Sequence, residues 1–280
     1  MSRPTAGFSR YDAGLLLVSV IWGANYSVSK LALAHISPIL FAAARFTLST
    51  ALLWLLVWRL GQARPLPRAK VLTLMGWGVV GYTLNQICFL YGLKLTTATH
   101  SALIFGNLPV AVALIGMATG AERPRPRVWL GIVLGTVGVA MVVGGKGIDF
   151  SREMLIGEGF NVLALVLWAT FTVGIRQAAL GLNSAQVSAY AHLGGTPGFL
   201  MLAVPTAATV SVSSLHPAVW IGILYSSFLS SVVASVLWTR GLKALGGSRT
   251  ALYNCVTPLV AGAIAWALLG EQPVPLQLAG

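Results

Sequence analysis

Acidic side chains are scarce in this sequence: six Asp and Glu stand against eighteen Lys and Arg in 280 residues. All six, Asp12, Glu122, Asp149, Glu153, Glu158 and Glu271, fall at the ends of apolar runs or between them. A proton-coupled exporter of lipophilic cations needs a carboxylate near the middle of the membrane, and none is expected here. The same scarcity leaves no carboxylate pair for acid–base catalysis. Cysteine is nearly absent too: Cys88 and Cys255 sit inside apolar runs and read as small hydrophobes. There is no Cys/His cluster at metal-ligand spacing and no glycine-rich phosphate loop after a strand, so no metal and no cofactor are expected. Charge of either sign is low, at 9% of residues, where a soluble domain carries about a quarter. A chain that is 56% hydrophobic with so few charges cannot cover itself in water and belongs in a bilayer. The formal charge of +12 is spread between apolar runs rather than gathered with aromatics into a patch, which points to lipid head groups and away from nucleic acid.

What is present is a series of long apolar runs. The first, about 13–34, is too long for the core of a cleaved signal peptide and reaches the ~20 residues needed to span. Others follow at about 38–58, 70–93, 98–119, 128–143, 157–179, 184–207, 217–242 and 248–269. The fold expected is an all-α polytopic membrane protein with nine full spans here.

Part of the chain occurs twice. Adding 149 carries Gly92, Leu93 and Lys94 onto Gly241, Leu242 and Lys243, and Pro109 onto Pro258. The same step carries Glu122, Pro124, Pro126 and Gly131 onto Glu271, Pro273, Pro275 and Gly280. Further back the offset falls slightly: Trp22 and Lys30 match Trp168 and Arg176 at 146, and Ser37 and Arg45 match Ser184 and His192 at 147. Matched Pro, Lys and Glu at near-constant offset indicate duplication of a five-span unit. An odd number of spans turns the second copy upside down, so an inverted repeat is expected. Residues 1–12 are then a cytoplasmic tail, 13–146 the first repeat, 147–156 the connecting loop and 157–280 the second repeat. A tenth span is expected beyond Gly280, completing a ten-helix bundle. Basic residues follow the same logic: Arg59, Arg64, Arg68 and Lys70 cluster after the second span, while its counterpart at 205–216 has no Lys or Arg. That asymmetry places the amino terminus in the cytoplasm.

Arg45 stands out, seven positions and so about 10 Å into the second span. A guanidinium at that depth either snorkels, binds backbone carbonyls or holds a substrate carboxylate. Its counterpart His192 reads as a structural histidine. Polar and aromatic groups gather at mid-depth: Trp22 and Asn25 in the first span, Tyr82, Asn85 and Gln86 in the third, and Trp168 in the sixth. Tyr225, Ser226, Ser230 and Ser231 give the eighth a softer polar face. Interhelical hydrogen bonds account for amides in a bilayer as readily as a binding pocket does. The candidate substrate-binding residues are therefore Trp22, Asn25, Arg45, Tyr82, Asn85, Gln86, Trp168, His192 and Tyr225. Pro109 and Pro258 should bend the fourth and ninth spans and are the candidate hinges. Gly131, Gly135 and Gly138 offer a close-packing face to a tenth helix or another subunit.

These residues resemble the drug/metabolite transporter superfamily, and within it the EamA-type exporters. The resemblance is carried by Trp22-Gly23-x-Asn25 with Lys30, by Arg45, and by Gly92-Leu93-Lys94 with Ala102, Pro109, Glu122 and Gly131 together with their second-half copies. Within the superfamily the chain is most similar to YddG-type exporters of aromatic and other amino acids. The resemblance implies a bacterial inner-membrane exporter of amino acids or related metabolites that works by alternating access around a central cavity, and no enzyme. A multidrug or other small-metabolite exporter is the alternative, with a channel and an intramembrane hydrolase as more distant rivals. The partners expected are a small-molecule substrate and the lipid bilayer, and the chain is expected to act as a monomer.

Overall fold

Short polar side chains and prolines mark where the helices start. Ser37 accepts from the Leu40 amide ahead of Pro38, Thr97 from the His100 amide and Ser151 from the Met154 amide. Such caps satisfy amides that have no partner within the first turn. The computed structural model describes residues 8–121, 134, 151–207, 210–211 and 214–271, and among them the chain folds into eight helical rods. The first two are α1 (Arg10–Leu33) and α2 (Pro38–Arg59). The third runs through α3 (Arg68–Gly78), a π-helical stretch (Val79–Leu84) and α4 (Asn85–Leu95). The fourth is broken into α5 (Ala98–Gly106) and α6 (Leu108–Ala118). Then come α7 (Arg152–Ala178) and α8 (Ser184–Ala207). The seventh rod is α9 (Pro217–Tyr225), a second π-helical stretch (Ser226–Val233) and α10 (Ala234–Leu245). The last joins α11 (Gly247–Leu252), a 3₁₀ turn (Tyr253–Val256) and α12 (Thr257–Leu269).

No strand occurs among the described residues, and six rods are long and apolar enough to cross a membrane: Arg10–Leu33, Pro38–Arg59, Ala98–Ala118, Arg152–Ala178, Pro217–Leu245 and Gly247–Leu269. Their outward faces carry large apolar side chains such as Leu17, Leu55, Leu163, Ile221, Leu259 and Trp266. Polar groups are turned inward, with Asn85, Ser226, Ser227 and Asn161 all buried. Apolar outside and polar inside is the arrangement a lipid solvent selects. The chain is thus a polytopic membrane protein.

Along the bundle α2 packs on α8, α4 on α7, α1 on α12 and on the rod of α9 and α10, and α5 on α12. The crossing of α3 with α8 is close. A Cβ on Gly78 would lie 1.9 Å from the Ala191 carbonyl oxygen, and one on Gly194 would lie 2.2 Å from that of Met75. Small residues let the two backbones meet, and the Thr83 hydroxyl then donates to the Gly195 carbonyl at 2.6 Å.

The rods expected to bend at proline do more than bend. Pro109 and Pro258 each stand at the second position of a new helix, where a missing N–H costs nothing. Lacking that donor, Pro109 leaves the carbonyl of Phe105, four residues earlier, without its helical partner. The Asn254 side chain fills the gap from the last rod, donating Nδ2 to Phe105 O at 2.6 Å. α7 starts at Arg152, inside the stretch expected as a connecting loop, because Ser151 caps it. Apart from Leu134, the expected fifth span at 128–143, with Gly131, Gly135 and Gly138, lies outside the described residues. Both cysteines are free.

Candidate functional site

Four interruptions in helical geometry meet at one depth, and a cavity lies among them. The free space there is about 620 Å³, counting the part that is open solvent. The first π-helical stretch supplies Tyr82, with Asn85 and Gln86 directly after it, and the second supplies Ser230 and Ser231. The broken fourth rod brings Phe105, and the 3₁₀ turn brings Asn254. A π turn widens the helix and leaves carbonyls free of their usual partners. Trp22 uses one of them, donating Nε1 to Ser230 O at 3.1 Å. Irregular backbone at membrane depth is tolerated where it lines a cavity or is buried in protein.

One wall is aromatic. Trp22 meets Trp168 edge to face at 5.6 Å between ring centroids, and Trp238 packs behind both at 5.0 and 6.2 Å. Tyr82 lies 6.1 Å from Trp168 and 5.7 Å from Phe46. Tyr26, Phe89 and Phe105 form a second group, each ring 5.3–6.4 Å from the next. The opposite character comes from Arg45 on α2, which is only 4% exposed. Its Nε donates to Ser231 Oγ at 3.3 Å and its Nη1 to Gln86 Oε1 at 3.2 Å, and its guanidinium carbon lies 5.0 Å from the centre of the Phe46 ring. Both acceptors are neutral. No carboxylate meets it among the described residues.

The amides form a chain that sets their orientation. Gln86 Nε2 donates to Asn85 Oδ1 at 2.9 Å, and Asn85 Nδ2 donates to the Ala164 carbonyl at 2.7 Å. Across the cavity Ser226 Oγ donates to Asn25 Oδ1 at 2.6 Å. These bonds fix the Gln86 oxygen toward Arg45.

Of the nine candidate residues, Trp22, Asn25, Arg45, Tyr82, Asn85, Gln86 and Trp168 line the cavity. Two do not. His192 is fully buried behind the wall, its ring 4.0 Å from Tyr82 and its Nδ1 2.9 Å from the Ser188 carbonyl oxygen. Tyr225 donates its hydroxyl to the Ile21 carbonyl at 2.9 Å, a tie between rods. Sequence reasoning passed over Asn254 and Ser235, and the aromatic residues Tyr26, Phe46, Phe89 and Phe105. Asn254 had a readable signal, because it stands four residues before Pro258 and one repeat step after Phe105.

Comparison with known proteins agrees with the architecture. The EamA-like transporter family matches this chain twice, at residues 10–144 and at 155–280. An uncharacterized transporter of Archaeoglobus fulgidus is 30% identical over 261 residues, covering 92% of this chain and 89% of that protein. A probable amino-acid metabolite efflux pump of Salmonella typhimurium is 28% identical, covering 97% and 91%. A protein of known crystal structure shares the fold at a TM-score of 0.74 with 17% identity, over 96% of this chain and 92% of the other.

Proposed function

The chain belongs to the EamA-like transporter family, and from that premise we propose that it exports amino acids or closely related carboxylate metabolites across the bacterial inner membrane. The observation that carries the reading is Arg45, a buried cation whose partners among the described residues are neutral, facing a cavity walled by Trp22, Tyr82 and Trp168. Such a site fits a solute with a carboxylate at one end and an apolar or aromatic body at the other. The name of the Salmonella relative, a probable amino-acid metabolite efflux pump, points the same way. A multidrug exporter of cations fits less well, since Arg45 would repel such a substrate.

The mechanism proposed is alternating access between two inverted five-span halves of a ten-helix bundle, with the amino terminus in the cytoplasm. Several features support it. Residues about one repeat step apart touch: Trp22 with Trp168, Thr50 with Thr196 at 2.7 Å, and Asn254 with Phe105. Such contacts arise where a pseudo-two-fold axis passes. The two π-helical stretches begin at Val79 and Ser226, also one step apart, and the two breaks stand just before Pro109 and Pro258. The family matches the chain once in each half. In this reading the breaks at Pro109 and Pro258 are the hinges.

Counterflow in proteoliposomes tests the function. Vesicles loaded with unlabelled phenylalanine should take up labelled phenylalanine saturably, and Arg45→Gln and Trp168→Ala should each depress that uptake strongly. Uptake unchanged in both variants would remove the cavity from the transport path.

A further inference from the structure

The polar chemistry of the cavity is one-sided. Among the described residues Arg45 is the cation that lines it, and no carboxylate does. The acids of the described residues are engaged or exposed elsewhere. Asp12 receives Ser9, Arg249 and Tyr253, Glu158 pairs with His100 at 3.0 Å, Glu271 accepts from the amides of Ala98 and Thr99, and Glu153 is exposed at the start of α7.

Each side-chain amide oxygen of the lining already accepts one hydrogen bond. The Asn25 oxygen holds Ser226, the Asn85 oxygen holds Gln86, the Gln86 oxygen holds Arg45 and the Asn254 oxygen holds Thr257 at 3.2 Å. Donors remain. Of the five N–H groups of the Arg45 guanidinium, those on Nη2 have no acceptor among the described residues, nor does the Asn25 amide nitrogen. Trp22 and Trp168 meet edge to face and pack against Trp238, Tyr82 and Phe171, so the aromatic wall is held by its own ring contacts.

We infer that the cavity selects monoanionic carboxylates with an aromatic or apolar body, such as aryl hydroxy acids and keto acids, over the zwitterionic amino acids with the same side chain. The inference rests on the transport reading above and narrows it. A carboxylate on Arg45 uses the unspent donors. An α-ammonium is bonded to the next atom of the same molecule, so it is carried close to the guanidinium, where it meets a like charge and no carboxylate to offset it. A hydroxyl or keto oxygen at that position instead finds the Asn25 amide as a donor.

The test compares L-phenylalanine with L-3-phenyllactate, which share ring and carboxylate and differ in the α-substituent. At about pH 7 both carboxyls are ionised and only phenylalanine carries an ammonium. Counterflow into protein-loaded vesicles, less the leak into protein-free ones, should half-saturate at roughly tenfold lower phenyllactate than phenylalanine. Asn25→Asp, which keeps the acceptor for Ser226 and adds a charge, should reverse that order while the thermal midpoint of the purified protein holds. Phenylalanine preferred or equal in the wild-type protein overturns the inference and leaves the transport reading standing. Counterflow with neither compound from folded protein overturns both.

Discussion

Arg45 and Arg249 are both arginines set into helices of one bundle, but they meet different company. Arg249, in α11, donates Nη2 to Asp12 Oδ1 at 2.9 Å, and the carboxylate of Asp12 is shared with Tyr253 and with the Ser9 amide and hydroxyl. That cluster ties the first turn of α1 to the last rod and leaves Arg249 about 40% exposed. Arg45 is almost wholly enclosed and, among the described residues, its guanidinium donates to a serine hydroxyl and a glutamine oxygen. The difference teaches how to tell scaffold from site in a chain with few charges. Arg249 comes with its own anion, whereas on the reading proposed above the counter-charge of Arg45 is supplied by a ligand.

The sharpest way to break the comparison is to neutralise Arg45. Arg45→Gln should cut transport efficiency roughly 100-fold in counterflow, as expected when one partner of an enclosed charge pair is lost. Its thermal midpoint should stay at or above that of the wild type, since an unpaired buried charge is removed. A large fall in stability with normal transport would place Arg45 with Arg249 in the scaffold. Asp12→Ala should give the reverse pattern. It deletes the acceptor that caps α1 and holds Arg249, and should lower stability by about 1–2 kcal/mol in a detergent melt while the half-saturation of the substrate is unmoved. The smallest effect is expected at His192. Its Nε2 is buried without a partner among the described residues, so His192→Phe should change stability by less than about 1 kcal/mol and leave transport intact. A transport defect there would extend the site behind the Tyr82 wall.

The same contrast explains what could be read from the sequence. Trp22, Asn25, Arg45, Asn85 and Gln86 were legible because a polar side chain deep in an apolar run is costly and so conspicuous. The rods were legible for a related reason: their length and hydropathy are set by the bilayer. His192 and Tyr225 have the right depth and the wrong neighbours, since depth does not say which residues the adjoining rod brings alongside. Asn254 and Ser235 were hidden by the same gap. Their place at the cavity follows from how the last rods cross the first, and from a 3₁₀ turn and a π turn that have no compositional signature. Pro109 was read as a bend, but its larger effect is on Phe105, whose carbonyl it leaves to be claimed by a residue 149 positions later.

That carbonyl has a history during synthesis. When the fourth span enters the membrane, the Phe105 oxygen has lost its helical donor and Asn254 has not yet been made, so the early half waits in lipid with an open acceptor. Completion of the late half closes it. On the two-half architecture proposed above, the halves expressed separately should be degraded, expressed together they should protect each other, and Asn254→Leu should weaken that mutual protection in a pulse-chase experiment.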